Sequence, residues 1–164
     1  MAQIKNDERT SLTIIRFRSI RIRMNDHYAP QLAPALERAT HTLALWIERT
    51  FQDEGLSQAE AHVLAYLARQ PATTINDLHT SFGHKRSTLT SILDRLEARG
   101  WVRRARHPAS RRLVALELTE AGQAVGERVS NALQAVEKQV RAQEGDAAIA
   151  TFLEVIYAFE EEIK

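Results

Sequence analysis

Residues 83–112 read GHKRSTLTSILDRLEARGWVRRARHPASRR. Leu89, Ile92, Leu93 and Leu96 recur at three- and four-residue steps, the spacing of one helical face. This predicts a helix over about 85–99, and Gly100 stands where a left-handed residue would stop it. Residues 101–106 and 112–118 have strand character, separated by the turn-forming His107-Pro108-Ala109-Ser110. In the second strand Leu113, Ala115 and Glu117 alternate with Val114, Leu116 and Leu118, which predicts one consistently apolar face. The quoted stretch holds nine basic residues (Lys85, Arg86, Arg95, Arg99, Arg103, Arg104, Arg106, Arg111, Arg112) against Asp94 and Glu97, a net +7 in a chain whose total is +1. A helix followed by a basic hairpin is suited to entering a DNA groove and gripping the phosphates beside it.

Upstream, Leu32, Leu36, Leu43, Trp46, Ile47 and Phe51 mark a helical face over 30–51. Ser57-Gln58-Ala59-Glu60 is a capping box opening a helix that carries Val63, Leu64 and Leu67 and stops before Pro71. Thr74 or Asn76 can cap a short helix holding Leu78, and Phe82-Gly83 turns out of it. Downstream, Thr119 caps a long helix bearing Val125, Val129, Leu133, Val136 and Val140. Gly145-Asp146 then starts another with Ile149, Phe152, Leu153, Ile156, Phe159 and Ile163. The expected fold is mainly α: a winged helix-turn-helix, made of a three-helix reader with a two-stranded β-wing, flanked by N- and C-terminal dimerisation helices. The flanking helices have more apolar face than so small a reader can cover, and a symmetric dimer is the simplest closure. The expected division is a basic arm at 1–29 and a single domain at 30–164, with the reader at 56–118 and dimerisation helices at 30–55 and 119–164.

Composition narrows the class. At 164 residues, 44% hydrophobic and 26% charged, the chain can bury a core and does not read as disordered. No apolar run approaches the roughly 20 residues of a membrane span, and no secretory signal is evident, so the cytoplasm is the expected compartment. With no cysteine there is no disulfide, thiol sensor or thiolate metal site. Residues 1–24 carry six basic and two acidic groups and alternate Ile or Phe with Arg. They read as a basic arm adding phosphate contacts, as a tail without fixed structure, or as the product of a start site upstream of Met24.

From residue 56 to 122 the chain resembles the MarR family of winged-helix transcriptional regulators. The matching stretches are GLSQAEAHVLAYLARQP, HKRSTLTSILDRLEARGWVRR and RRLVALELTEAG. The resemblance implies a homodimer reading a pseudo-palindromic operator on double-stranded DNA, with half-sites about one helical turn apart. It also implies repression or activation of nearby genes, often relieved by a small aromatic or phenolic ligand. One departure stands out. The family's wing usually has an Asp two residues before a tip arginine, and here those positions are Ser110 and Arg112. Serine supplies no counter-charge, so Arg112 is expected to be less tightly oriented.

On the predicted recognition helix the apolar residues face inward, leaving Arg86, Ser87, Thr90, Ser91 and Asp94 outward. Arg86 can address guanine O6 and N7 with two donors, and Ser87, Thr88, Thr90 and Ser91 can reach bases or phosphates. Lys85, Arg95, Arg103, Arg104 and Arg106 suit phosphates, which set register without sequence information. Arg112, with Arg111, is placed to enter the minor groove. The bland alternative is a solvated helix face. His41, Leu45 and Trp46 are candidate ligand-binding residues, with Trp46 as dimer core the competing reading. The six histidines are scattered without metal-ligand spacing, so neither metal nor cofactor is expected. No phosphate loop, nucleophile elbow or carboxylate pair suggests an enzyme. The competing function is a winged-helix module that contacts protein instead of DNA.

Overall fold

The structure, a computed structural model, describes residues 31–163, so the arm expected at 1–29 lies outside the described residues. The described residues fall into two units, 31–43 and 44–163. Helix α1 (Leu32–Thr50) opens in the first unit, where the Thr42 hydroxyl donates to the Arg38 carbonyl. Its end, in the second unit, buries Ile47 and is followed by buried Phe51.

The second unit contains α2 (Gln58–Arg69), α3 (Ile75–Phe82), α4 (Arg86–Ala98), β1 (Val102–His107), β2 (Ser110–Leu118), α5 (Glu120–Glu144) and α6 (Asp146–Glu162). The expected caps form. Ser57 and Glu60 complete a capping box on α2. Thr74, rather than Asn76, caps α3, and Asp77 bonds reciprocally to it. Helix α3 ends at left-handed Gly83, and Thr119 caps α5. Together these elements form a mainly α winged helix-turn-helix.

Helix α4 closes through a Schellman motif. The Trp101 N–H donates to Leu96 O and the Gly100 N–H to Glu97 O, with Gly100 at φ +69°. That commits Trp101 to the helix end, so β1 starts at Val102, one residue later than expected. Strand β2 starts earlier than expected, because His107 pairs with Ser110 across Pro108-Ala109.

The core comes from α2, α3, α4 and the base of the wing, where Leu64, Leu78, Leu89, Leu96 and Ala115 are fully buried. Burying each leucine contributes roughly 1.5–3 kcal/mol. Helix α2 packs along α5, where a Cβ on Gly126 would lie 2.8 Å from the Leu64 carbonyl oxygen. The apolar face of β2 (Val114, Leu116, Leu118) is covered only toward its base. At the base both faces of β2 are covered, with Ala115 and Leu116 buried, whereas Val114 nearer the tip is 52% exposed. Thr73 adds a rung to the sheet, its carbonyl accepting the Leu116 N–H at 2.7 Å. Helix α6 buries no residue, and Phe152, Leu153, Val155 and Tyr157 are exposed.

Candidate nucleic-acid interface

Burial of Leu89, Ile92, Leu93 and Leu96 fixes the rotation of α4 and turns Arg86, Ser87, Thr88, Thr90, Ser91, Asp94 and Arg95 to solvent. Lys85, also exposed, is the N-cap residue but makes no side-chain cap. Arg86 Nη2 donates to Asn76 Oδ1 on α3 at 2.7 Å, and the Thr90 hydroxyl donates to the Arg86 carbonyl at 2.9 Å.

The cations divide into two groups. Arg95 Nε donates to the buried Glu60 carboxylate at 2.8 Å, and its Nη1 reaches Ser91 Oγ. Arg103 donates to Glu117 through Nε and Nη2 across the wing. Arg104 Nη2 lies 2.9 Å from Asp94 and 3.3 Å from Glu97, tying the wing to α4. Arg99 donates to the Glu54 and Gly55 carbonyls and stacks over Trp101, a joint that counting charges did not reveal. Among the described residues, Lys85, Arg106 and Arg112 make no ion pair. Exposed pairs such as Arg103–Glu117 are worth only about 0–1 kcal/mol, so a phosphate can compete for those guanidinium groups.

The wing tip is irregular. The ladder passes from Arg106↔Val114 directly to His107↔Ser110, leaving Arg111, Arg112 and Leu113 outside the regular pairing. Ser110 Oγ accepts from the Arg112 backbone N–H at 3.3 Å, and the Arg112 side chain is exposed. The serine at the departing position thus holds the main chain of Arg112, not its guanidinium.

His41 and Leu45 are exposed and Trp46 is half-buried. A cavity of about 400 Å³ opens instead between α2, the end of α3 and α5, with His62, Tyr66, Phe82, Leu133 and Glu137 among its walls. His62 lies parallel to Phe82 (6.4 Å, 11°), and Tyr66 meets the same ring edge-on at 5.4 Å. The signal for this wall was the helical spacing of His62, Tyr66 and Arg69.

Three helices (α2, α3 and α4), of which α4 presents hydroxyls and cations, and a hydrogen-bonded wing define a winged helix-turn-helix protein. The model of the MarR family matches residues 56–114. It is 36% identical over 101 residues to the HTH-type transcriptional regulator PecS of Dickeya dadantii (strain 3937). That match takes in 57% of this chain and 58% of PecS, so it spans less than two thirds of the relative. The transcription regulator MarR from Oenococcus oeni PSU-1 superposes with a TM-score of 0.74 at 18% identity, over 80% of this chain and 99% of that one. Streptococcus pneumoniae FabT, solved in complex with DNA, superposes with a TM-score of 0.65 at 22% identity, over 81% and 97% of the two chains. At these identities the structural likeness is one of fold.

Proposed function

We propose that this chain is a sequence-specific DNA-binding transcriptional regulator acting as a homodimer on a pseudo-palindromic operator. The observation that carries this reading is the exposed face of α4, where Arg86, Ser87, Thr90 and Ser91 lie next to Lys85, with unpaired Arg106 and Arg112 on the adjoining wing. Arg86 reads base edges from the first turn, the hydroxyls supplement it, and the wing arginines grip phosphate and minor groove. The unburied apolar side chains of α6 support self-association, because a two-fold contact covers each patch with its own copy. The cavity beside His62, Tyr66 and Phe82 supports release by a small aromatic or phenolic ligand.

Mobility shifts on the DNA flanking the gene test the reading. Affinity should fall with salt at a log–log slope of several units, and Arg86→Ala should weaken binding and relax the preference at the base pair it addresses. Binding indifferent to both would favour the protein-interaction module. Sedimentation should show a dimer.

A further inference from the structure

The base-reading cation of α4 sits in an electrostatically unfavourable place. Arg86 is the first residue of the helix, whose first turn contains no acidic residue and whose N-cap makes no side-chain hydrogen bond. The helix macrodipole opposes a cation there, and an exposed arginine retains much rotamer freedom. What holds Arg86 is a residue of another helix, since its Nη2 donates to Asn76 Oδ1 at 2.7 Å.

Asn76 is itself firmly placed. It lies in the first turn of α3, between Thr74 and Asp77. Their reciprocal bonds (Thr74 N–H to Asp77 Oδ2, 2.7 Å; Asp77 N–H to Thr74 Oγ1, 3.2 Å) lock that turn, and its carbonyl accepts the Thr80 hydroxyl at 3.0 Å. Its amide is therefore not needed as a helix cap and is available to α4. One Nη2 hydrogen given to Asn76 leaves a complete two-donor edge of the guanidinium for a guanine.

We infer that Asn76 is a positioning residue for sequence readout, orienting Arg86 from α3 before DNA arrives. The inference rests on the reading that Arg86 addresses base edges. Preorganising a long side chain reduces the ordering cost at binding, and only for complexes in which that side chain makes its specific contact. Asn76 therefore acts on discrimination more than on general affinity.

The test uses full-length protein and a pool of duplexes with a randomised core, from which wild type selects a preferred site. Wild type, Asn76→Ala, Arg86→Ala and the double variant are titrated on that site, its single-base variants and a scrambled duplex. Asn76→Ala should weaken the selected duplex by about 5- to 10-fold and the scrambled one by less than about 2-fold. The loss should fall on the base pair whose preference Arg86→Ala removes, and Asn76→Ala should cost nothing further in the Arg86→Ala background. Asn76→Asp keeps an acceptor and should preserve that base preference even though its charge lowers affinity on every duplex. An equal loss on all duplexes, or the same loss without Arg86, would show that Asn76 touches phosphate independently and would overturn the inference alone. If wild type selects no sequence, the DNA-reading proposal falls and the inference with it.

Discussion

Glu60 Oε1 accepts a 2.8 Å hydrogen bond from Arg95 Nε, joining α2 to α4 across 35 residues of sequence. Its other oxygen accepts from the Ser57 N–H at 3.0 Å and the Ser57 hydroxyl at 2.8 Å. One carboxylate therefore caps α2 and anchors α4. The pairing is asymmetric, with the Glu60 side chain 6% exposed and that of Arg95 52%.

The first prediction concerns acid. Burial disfavours the Glu60 carboxylate, but the hydrogen bonds from Arg95 and Ser57 outweigh it and hold its pKa below the usual value. A depressed carboxylate contributes stability that is present above its unfolded pKa, about 4.3, and lost as pH falls through the folded value. Glu60→Gln should be less stable than wild type at pH 7 by about 1–3 kcal/mol. The gap should narrow on acidification below about pH 4.5. Thermal melts by circular dichroism from pH 7 to 3.5 measure both, and a constant gap would remove Glu60 from the acid response.

His62 gives a second pH dependence, in a different window. Burial between α2 and Phe82, reinforced by the nearby charge of His84, lowers its pKa below 6.5. The unfolded chain therefore binds this proton more readily than the folded chain. Stability from neutral His62 is complete above about pH 6.5 and declines as pH falls from there toward the folded pKa. Wild type should lose more stability between pH 7.5 and 5.5 than His62→Gln, which lacks this proton-binding group. Equal losses in paired urea titrations would refute the assignment.

Much of this architecture was legible because it is written in local spacing. The step of Leu89, Ile92, Leu93 and Leu96 fixes both a helix and its inward face. The pair Ser57 and Glu60 announces a helix start three residues ahead of its effect. Partnerships between distant residues were not legible. Counting charges placed Arg95, Arg99, Arg103 and Arg104 in one cationic surface, whereas folding brings carboxylates or carbonyls to each of them. Asn76 illustrates the same limit. Sequence admits it as a cap for α3, but Thr74 takes that role and the Asn76 side chain crosses to Arg86. The Thr73 rung was missed because a single bridging residue has no periodicity.

Gly122 yields a prediction that opposes helix propensity. A Cβ there would lie 1.9 Å from the Trp101 carbonyl oxygen and 2.7 Å from its carbon. That carbonyl also accepts the Thr119 N–H at 3.0 Å, so the start of α5 is fastened to the end of the reader and cannot simply withdraw. Gly-to-Ala inside a helix usually stabilises by about 1 kcal/mol. Here the backbone overlap dominates, and Gly122→Ala should destabilise by about 2 kcal/mol or more. As a control, Ala135→Gly at an exposed site on the same helix should cost only about 1 kcal/mol. Urea denaturation separates the two; a neutral Gly122→Ala would mean that α5 shifts without penalty.

The last prediction restores a charge to the wing. Ser110 reaches only the backbone N–H of Arg112, whose guanidinium has no ion-pair partner among the described residues. Ser110→Asp would place a carboxylate two residues from that arginine, as in the usual pattern of MarR-like wings. An exposed pair of this kind contributes only about 0–1 kcal/mol to stability, so the melting temperature should barely move. If Arg112 enters the minor groove, reduced ordering cost should tighten specific binding by about 2- to 5-fold, even though the added negative charge weakens general attraction to DNA. Arg112→Ala should weaken specific binding and cancel the gain from Ser110→Asp. Titrating the four combinations at one salt concentration decides the matter. Weaker binding for Ser110→Asp on selected and scrambled duplexes alike would mean that repulsion prevails and that Arg112 gains nothing from being held.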